Sequence, residues 1–341
     1  MRTGGTALGI ARPEATRRGG ARVCLRAPFN RKHLPPTRGQ IPVSCRTANE
    51  RRAVMTTLTI SPSATRPKAL GRAALIWRFR ELAWMLAWRD IRVRYRHTLL
   101  GAAWAVVPPL AMMAVFSFVF GSVTEIDRQR LTGHPHLPYP LFAFSGLVPW
   151  MLLANGLTAA TTSLIANRQL VTKIYFPREV FPISAILSCV VDFMIAMALV
   201  VALAAWYHFQ GEAWRLELNA FMLFVPIVFA VQLVFMLGMG MLLSMATLFY
   251  RDVNFIFRAA VQLWMFASAV IYNLDATTGW KRLIIHLNPM TPILRAYRDC
   301  LLLGRSPFDA PFLAASAVSV AILLLGWRWF RAREDDFAEF I

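Results

Sequence analysis

The sequence contains no GxxxxGK[ST] loop, no GxGxxG followed by a suitably placed acid, no HExxH and no GxSxG elbow. It therefore lacks the short signatures that cradle a phosphate, hold a catalytic zinc or present a serine nucleophile. Acid is scarce, with 18 Asp and Glu against 37 Lys and Arg. The four cysteines, Cys24, Cys45, Cys189 and Cys300, form neither a CxxC pair nor a metal-ligand spacing, and the six histidines are dispersed. His134 and His136 stand close together in "GHPHLPYP", but a metal site would need further ligands, so turn structure is the expected role of that stretch. No metal ligands, no cofactor-binding residues and no catalytic residues are expected. The chain is not expected to be an enzyme, and if it moves solute uphill it must borrow energy from an ion gradient or another subunit.

Charge is scarce along most of the chain's length. Only 16% of residues are charged and 57% are hydrophobic, with a mean hydropathy of +0.48. Leu99–Gly121, Leu141–Ala166 and Leu218–Phe249 carry no charge at all, and Val180–Trp206 carries only Asp192. Val253–Tyr272 holds the single charge Arg258, and Ala310–Trp327 holds none. Roughly 20 apolar residues cross about 30 Å of hydrocarbon as a helix. The expected fold is an all-α membrane protein with six transmembrane helices, because a chain this short cannot enclose six such runs in a soluble core. The last run ends in Arg328, Trp329, Arg331 and Arg333, a suitable interfacial anchor. A pI of about 11.1 does not point to nucleic acid, since the spans leave no soluble domain to form a binding surface.

Residues 1–54 hold 12 Arg or Lys against two Glu and show neither a helical stripe nor strand alternation. They read as a disordered basic extension. Met55 is the expected initiator, which would make this stretch an upstream extension of the reading frame; the alternative is a genuine tail that binds anionic lipid. Residues 55–73 form a polar lead, 74–98 an amphipathic interface helix, 99–333 the transmembrane domain and 334–341 a cytoplasmic tail. In the interface helix, Leu75, Phe79, Leu82 and Leu86 recur at helical spacing, widened by Trp77, Trp84 and Trp88. Such a helix is expected to lie along the membrane surface.

Arg89, Arg92, Arg94 and Arg96 immediately precede the first apolar run, a cluster that should stay cytoplasmic and start the chain inside. The loop at 167–179 is then internal with net charge +2, while 122–140 (net 0) and 207–217 (net −1) are external. Residues 273–307, net +3, run against the simple rule. Within them, "HLNPMTPILRAYRDCLLLG" is too polar to span and too apolar for a free loop. Tyr272–Leu303 reads as a re-entrant or surface-lying gate element, or else as an external linker, with Ile293, Leu294 and Tyr297 on an apolar side and Arg295, Arg298 and Asp299 off it. Asp192, alone in mid-span, is expected to make a packing or cavity-facing polar contact rather than to relay protons. Gln232 and Gln262 fit interhelical hydrogen bonds, and Gly238 and Gly240 close helix packing.

Four separated motifs resemble the membrane subunits of ABC-2 type exporters, in the branch that exports O-antigen, capsular polysaccharide and teichoic acid. They are "WRDIRVRYRHTLLGAAWAVVPPLAMMAVFSFVFG" (88–121), "FSGLVPWMLLANGLTAATTSLIANRQLVTKIYFPREVFP" (144–182), "FYRDV" (249–253) and "LNPMTPILRAYRD" (287–299). The resemblance covers roughly Leu75–Ile341 and implies a homodimer of six-span subunits. Each subunit would sit on a separately encoded ATP-binding cassette subunit, two copies in all, which uses ATP and Mg; this chain would bind neither. The loop after the second span would be a coupling helix docked on that ATPase through Asn167, Leu170, Lys173, Ile174, Tyr175, Phe176, Pro177, Arg178 and Glu179.

The same resemblance implies two short gate helices outside, involving Tyr272, Asn288, Pro289, Pro292, Arg295, Tyr297 and Arg298. Arg89, Asp90, Arg92, Arg94 and Arg96 stand at the cytoplasmic entrance, either receiving a lipid headgroup or acting as topology determinants only. Trp104, Phe116, Phe118, Trp150 and Trp264 are candidate channel aromatics. The implied substrate is a lipid-linked glycan, carried out through a bacterial inner (plasma) membrane by a multi-pass protein with both termini cytoplasmic. The alternative is an ABC-2 permease for a drug or small lipid, for which a narrow apolar cavity is expected.

Overall fold

The computed structural model describes residues 77, 79–96, 98–120, 132–134, 136–173, 177–210, 220–273 and 288–333. The basic stretch 1–54, the polar lead 55–73 and the tail 334–341 lie outside them. Among the described residues nine α-helices follow one another: α1 (Arg80–Tyr95), α2 (Val107–Phe118), α3 (Tyr139–Ala166), α4 (Arg168–Lys173), α5 (Val180–Phe209), α6 (Val225–Phe249), α7 (Asp252–Ala267), α8 (Met290–Arg298) and α9 (Ala310–Ala332). 3-10 turns at Gly101–Ala105 and Ala220–Phe224 lead into α2 and α6, and a π turn, Asp299–Leu303, continues α8.

Among the described residues four apolar segments are long enough to cross a membrane: α3 with 28 residues, α5 with 30, Ala220–Phe249 with 30 and α9 with 23. At 1.5 Å per residue they measure about 35 to 45 Å, more than the hydrocarbon thickness. The chain is thus an all-α, multi-pass membrane protein. The other two expected spans are shorter helices. Pro108 and Pro109 stand in the first turn of α2, where a proline ring clashes with the carbonyl four residues back and bars the helix from extending upstream. The 12 residues of α2 reach about 18 Å. At the end of α7 the chain breaks at Ala269, whose φ of 50° is left-handed and rarely adopted by a residue with a side chain.

Packing sorts the helices into two ends. At one end Ala83 and Leu86 of α1, Leu164 of α3, Val180 and Phe181 of α5, Met241, Met245 and Leu248 of α6 and Phe330 of α9 form a single buried cluster. This base joins the start of α1, the end of α3, the start of α5 and the ends of α6 and α9. At the far end Tyr139 donates a 3.0 Å hydrogen bond to Ile271 O, and Phe224 meets Phe308 edge-on at 5.1 Å. Between the ends, α3 is the most enclosed helix, and it packs on α2, α5, α6, α7 and α8.

The contact between α6 and α9 depends on glycine. A Cβ at Gly238 would lie 2.5 Å from Leu323 N, and one at Gly326 would lie 2.5 Å from Gly238 O. Backbones approach this closely only where side chains are absent. Gly326→Val is therefore expected to destabilise the fold by about 1–3 kcal/mol through overpacking, read as a lower unfolding midpoint in detergent micelles; an unchanged midpoint would show that the helices do not meet here.

Candidate functional site

Helix α1 carries six charged residues in sixteen, yet it packs against the apolar helix α5. Its two ends meet different levels of that helix. Ala83 and Leu86 join the base cluster with Val180 and Phe181, whereas Arg94 and Tyr95 reach Asp192. The separations, 11 residues along each helix, match at about 16 Å of rise. α1 therefore runs beside the first half of α5. Its buried residues are Ala83, Leu86, Ala87 and Ile91. Trp84 and Trp88 face the other way, 52% and 41% exposed and stacked at 6.2 Å. The indoles thus do not widen the buried stripe: the small alanines, which let α1 approach its neighbours, fill that face instead.

Asp192 is the acid that the hydrocarbon-compatible part of α5 has to accommodate. Arg94 Nη1 makes an ion pair with Asp192 Oδ2, and the Tyr95 hydroxyl donates to Asp192 Oδ1. Arg94 Nη2 adds a 3.3 Å bond to Ser188 Oγ. Burial and the bond to Asp192 push the Tyr95 hydroxyl up to about 12, so it remains a donor throughout the physiological range. A carboxylate at depth is tolerable when paired in this way.

Beside this cluster lies a cavity of about 570 Å³ between the end of α1, the start of α2, and helices α3 and α5. Arg94, Tyr95, Trp104, Asn155, Asp192 and Arg258 supply its polar and aromatic wall, with Thr158 and Thr162 below Asn155 on α3. Size and lining suit a ligand that offers both hydroxyl groups and apolar faces.

At the base, Asn167 closes α3. Its Nδ2 donates to Ser163 O at 2.9 Å, and its Oδ1 accepts from Arg89 Nη2 at 2.8 Å. Arg89 also holds Asp90 at 2.8 Å. The short helix α4 follows at once and ends at Lys173; Ile174, Tyr175 and Phe176 lie outside the described residues. Pro177 is buried, Arg178 is half-buried and Glu179 is fully buried at the start of α5.

The far end is closed by side chains that reach the last carbonyls of α7. Asn288 Nδ2 donates to Ala267 O at 3.2 Å and to Ser268 Oγ at 2.7 Å. Arg298 Nη1 donates to Ala269 O at 3.1 Å and Nη2 to Val270 O, while the guanidinium lies 3.8 Å from the centre of the Phe142 ring. Tyr272 donates to Phe266 O at 2.7 Å. Tyr297 donates to Gln232 Oε1 at 2.8 Å, and Gln232 Nε2 in turn donates to Pro149 O at 2.7 Å. Gly146 makes room for Arg298, since a Cβ there would sit 2.7 Å from Val270 O and closer still to the guanidinium.

The sequence pattern of the ABC-2 type transporter family matches residues 81–302. The chain belongs to the ABC-2 type transporter family. The permease is similar to the O-antigen export system permease protein RfbA of Myxococcus xanthus, 29% identical over 268 residues that make up 78% of this chain and 97% of that protein. It is also similar to RfbA of Klebsiella pneumoniae, 25% identical over 74% of this chain and 92% of the relative. The polysialic acid transport protein KpsM of Escherichia coli is 20% identical over 72% of this chain and 91% of the relative. Members of the family are transport subunits, and the permease is not an enzyme.

The structure distributes the expected site residues unevenly. Of the five channel aromatics, Trp104 lines the cavity. Trp150 is 3% exposed and meets Trp264 edge-on at 5.8 Å, so this pair belongs to the core. Phe116 packs near Phe120 at 6.4 Å, and Phe118 is 67% exposed. Among the entrance residues, Arg89 bonds both Asn167 and Asp90, Arg92 lies over Trp88 at 5.5 Å, Arg94 is committed to Asp192, and Arg96 is exposed just past the end of α1. Pro289 caps α8, Pro292 is buried in its first turn, and Arg295 pairs with Asp299 at 3.6 Å. Arg298, expected off the apolar side, is instead buried against α3 because the ends of α7 need its donors. Gln232 makes its interhelical bonds as expected, whereas Gln262 lies on the exposed side of α7.

Sequence reading missed Tyr95, Asn155, Thr158 and Thr162. Asn155 and Thr162 are one turn either side of Thr158 and Ala159, a polar face on an otherwise apolar helix, and that spacing was the available signal. In a double-mutant cycle of Asp192→Asn and Arg94→Gln, a coupling of about 1 kcal/mol or more is expected in the permease's unfolding free energy; additive effects would mean that the pair is not formed.

Proposed function

We propose that this permease is the membrane-spanning subunit of an ATP-driven exporter that carries lipid-linked polysaccharide, of the O-antigen, capsule or teichoic acid type, from the cytoplasm across the bacterial inner (plasma) membrane. The observation that carries this reading is the alignment along 91–97% of the length of relatives named for O-antigen export and polysialic acid transport. The cavity supports it. Trp104 offers an aromatic face over which sugar rings slide without one fixed register, and Asn155, Thr158, Thr162 and Asp192 offer partners for hydroxyl groups. The drug or small-lipid alternative calls for a narrow apolar cavity, and a wall containing Arg94, Asp192 and Arg258 runs against it.

In this reading the chain crosses six times, with α2 and α7 as the short first and fifth crossings. The base, with α1, α4 and both termini, faces the cytoplasm, and α7 to α8 forms the external gate. Two copies of the chain pair, and each sits on an ATP-binding cassette subunit that uses ATP and Mg. Exposed apolar side chains on α7, among them Phe255, Ile256 and Leu263 at about 70%, suit lipid or the second copy. The ATPase engages Asn167, Leu170, Lys173, Ile174, Tyr175, Phe176, Pro177, Arg178 and Glu179. Leu170, Ile174 and Tyr175 bring apolar area, and Lys173 and Arg178 bring charge for partner matching. Closure of the ATPase pair moves this segment; Arg89 passes the movement to α1, and Arg94 passes it to Asp192 in the cavity wall.

Replacing Lys173 and Arg178 together by Glu is expected to abolish glycan export at matched protein levels while membrane insertion and the partner's basal ATP hydrolysis persist. Undiminished export would sink the docking assignment. Trp104→Ala is expected to slow export several-fold with the stimulated ATPase rate retained; a loss of both would mark Trp104 as structural.

A further inference from the structure

A second cavity of about 420 Å³ lies between the start of α3, α8 and the start of α9. Thr291, Arg295 and Arg298 line it from α8, at positions i, i+4 and i+7 and therefore on one face of that helix. Arg305 and Asp299 complete the charged wall, so among the described residues three guanidinium groups stand against one carboxylate.

Two polar groups here are buried and still have capacity to bond. Arg298 is 8% exposed and Thr291 is 4% exposed, yet Arg298 Nε and Thr291 Oγ1 have no hydrogen-bond partner among the described residues. The other two guanidinium nitrogens of Arg298 are spent on Ala269 O and Val270 O. Burial lowers Arg298 to about 10, which leaves it protonated near neutral pH. A guanidinium has donors and no acceptor, so what completes it must accept hydrogen bonds, and an ionised acceptor does so most strongly. The one acid among the described residues of the wall does not fill this role: Asp299 faces Arg295 at 3.6 Å, and burial raises its carboxyl to about 6.

We propose that this cavity is a binding site for an oxyanion, a carboxylate or phosphate borne by a sugar unit or by a lipid headgroup, with Arg298 Nε, Thr291 Oγ1 and Arg305 as its donors. The site stands apart from the cavity at Asp192 and does not rest on a polysaccharide cargo, because its occupancy is read by binding alone, without ATP or transport.

The test uses the full chain in nanodiscs of zwitterionic lipid, with glucuronate, glycerol phosphate and glucose as probes in equilibrium dialysis. Glucuronate and glycerol phosphate are expected to bind and to compete with each other, and glucose is expected not to bind. Thr291→Val and Arg305→Gln spare the carbonyl bonds of Arg298, so both are expected to unfold at the wild-type midpoint while weakening the anions about fivefold each, the equivalent of one lost hydrogen bond. Asp299→Asn, which removes the competing charge, is expected to tighten them. Adding phosphatidylglycerol to the disc assigns the source: displacement of glucuronate that depends on Arg305 identifies a lipid headgroup, and undisturbed binding identifies a sugar-borne anion. Equal retention of glucose and glucuronate, or wild-type affinity in both variants, overturns the proposal.

Discussion

Hydrocarbon offers no hydrogen bonds, so every polar group that this chain carries to depth must find its partner in the chain itself. That constraint explains the contacts on which the rest depends. Asp192 is held by Arg94 and Tyr95. The carbonyls freed where α7 stops are taken up by Asn288 and Arg298. Gln232 is fixed between Pro149 O and the Tyr297 hydroxyl. The bonds of Asp192 and Gln232 join helices far apart in sequence, and those at the end of α7 tie it to α8, so meeting the local requirement also fixes the tertiary arrangement. Both cavities open beside such points, because a place where a helix ends or carries a charge is also a place where packing cannot be uniformly apolar.

The same contacts connect the two ends. From the base, Asn167 binds Arg89, α1 runs five residues on to Arg94, and Arg94 grips α5 at Asp192 beside the larger cavity. From the far end, Tyr297 reaches through Gln232 to the middle of α3, a helix that lines both cavities. A permease without a catalytic centre has to receive its movement from elsewhere. Stiff helices joined by a few charged or hydrogen-bonded ties are suited to passing on a displacement applied at the base.

Much of this was legible in the sequence, where the signal was compositional. Runs with little or no charge matched one end of α3, α5, α6 and α9 and missed the other by two to seven residues, because a long apolar segment has few alternatives to a helix but does not mark where the helix stops. Lone polar residues in such runs, Asp192 and Gln232, were read as contacts for the same reason. The misreadings came where periodicity had to say which face is buried. Trp84 and Trp88 were read into the same apolar stripe of α1 as Leu82 and Leu86, but Ala83 and Ala87 are buried beside Leu86 while the indoles stay exposed, since closeness to α5 rather than hydrophobicity decides the buried face. Arg298 looked solvent-facing by charge, but the unsatisfied end of α7, a feature of tertiary structure, draws it inward. The first run was taken as a continuous helix, although Pro108 and Pro109 shorten it to α2. Which aromatics border the cavity was out of reach, because facing direction depends on neighbours that a single helix does not reveal.

The central claim is that this chain is a conduit moved by a partner at its base. The most direct measurement is transport of lipid-linked glycan into sealed vesicles containing the purified permease, with and without its ATP-binding subunit. The account predicts transport only when that subunit and ATP are both present, and none under an imposed proton or sodium gradient alone. Glycan accumulation driven by an ion gradient through the permease by itself would contradict it.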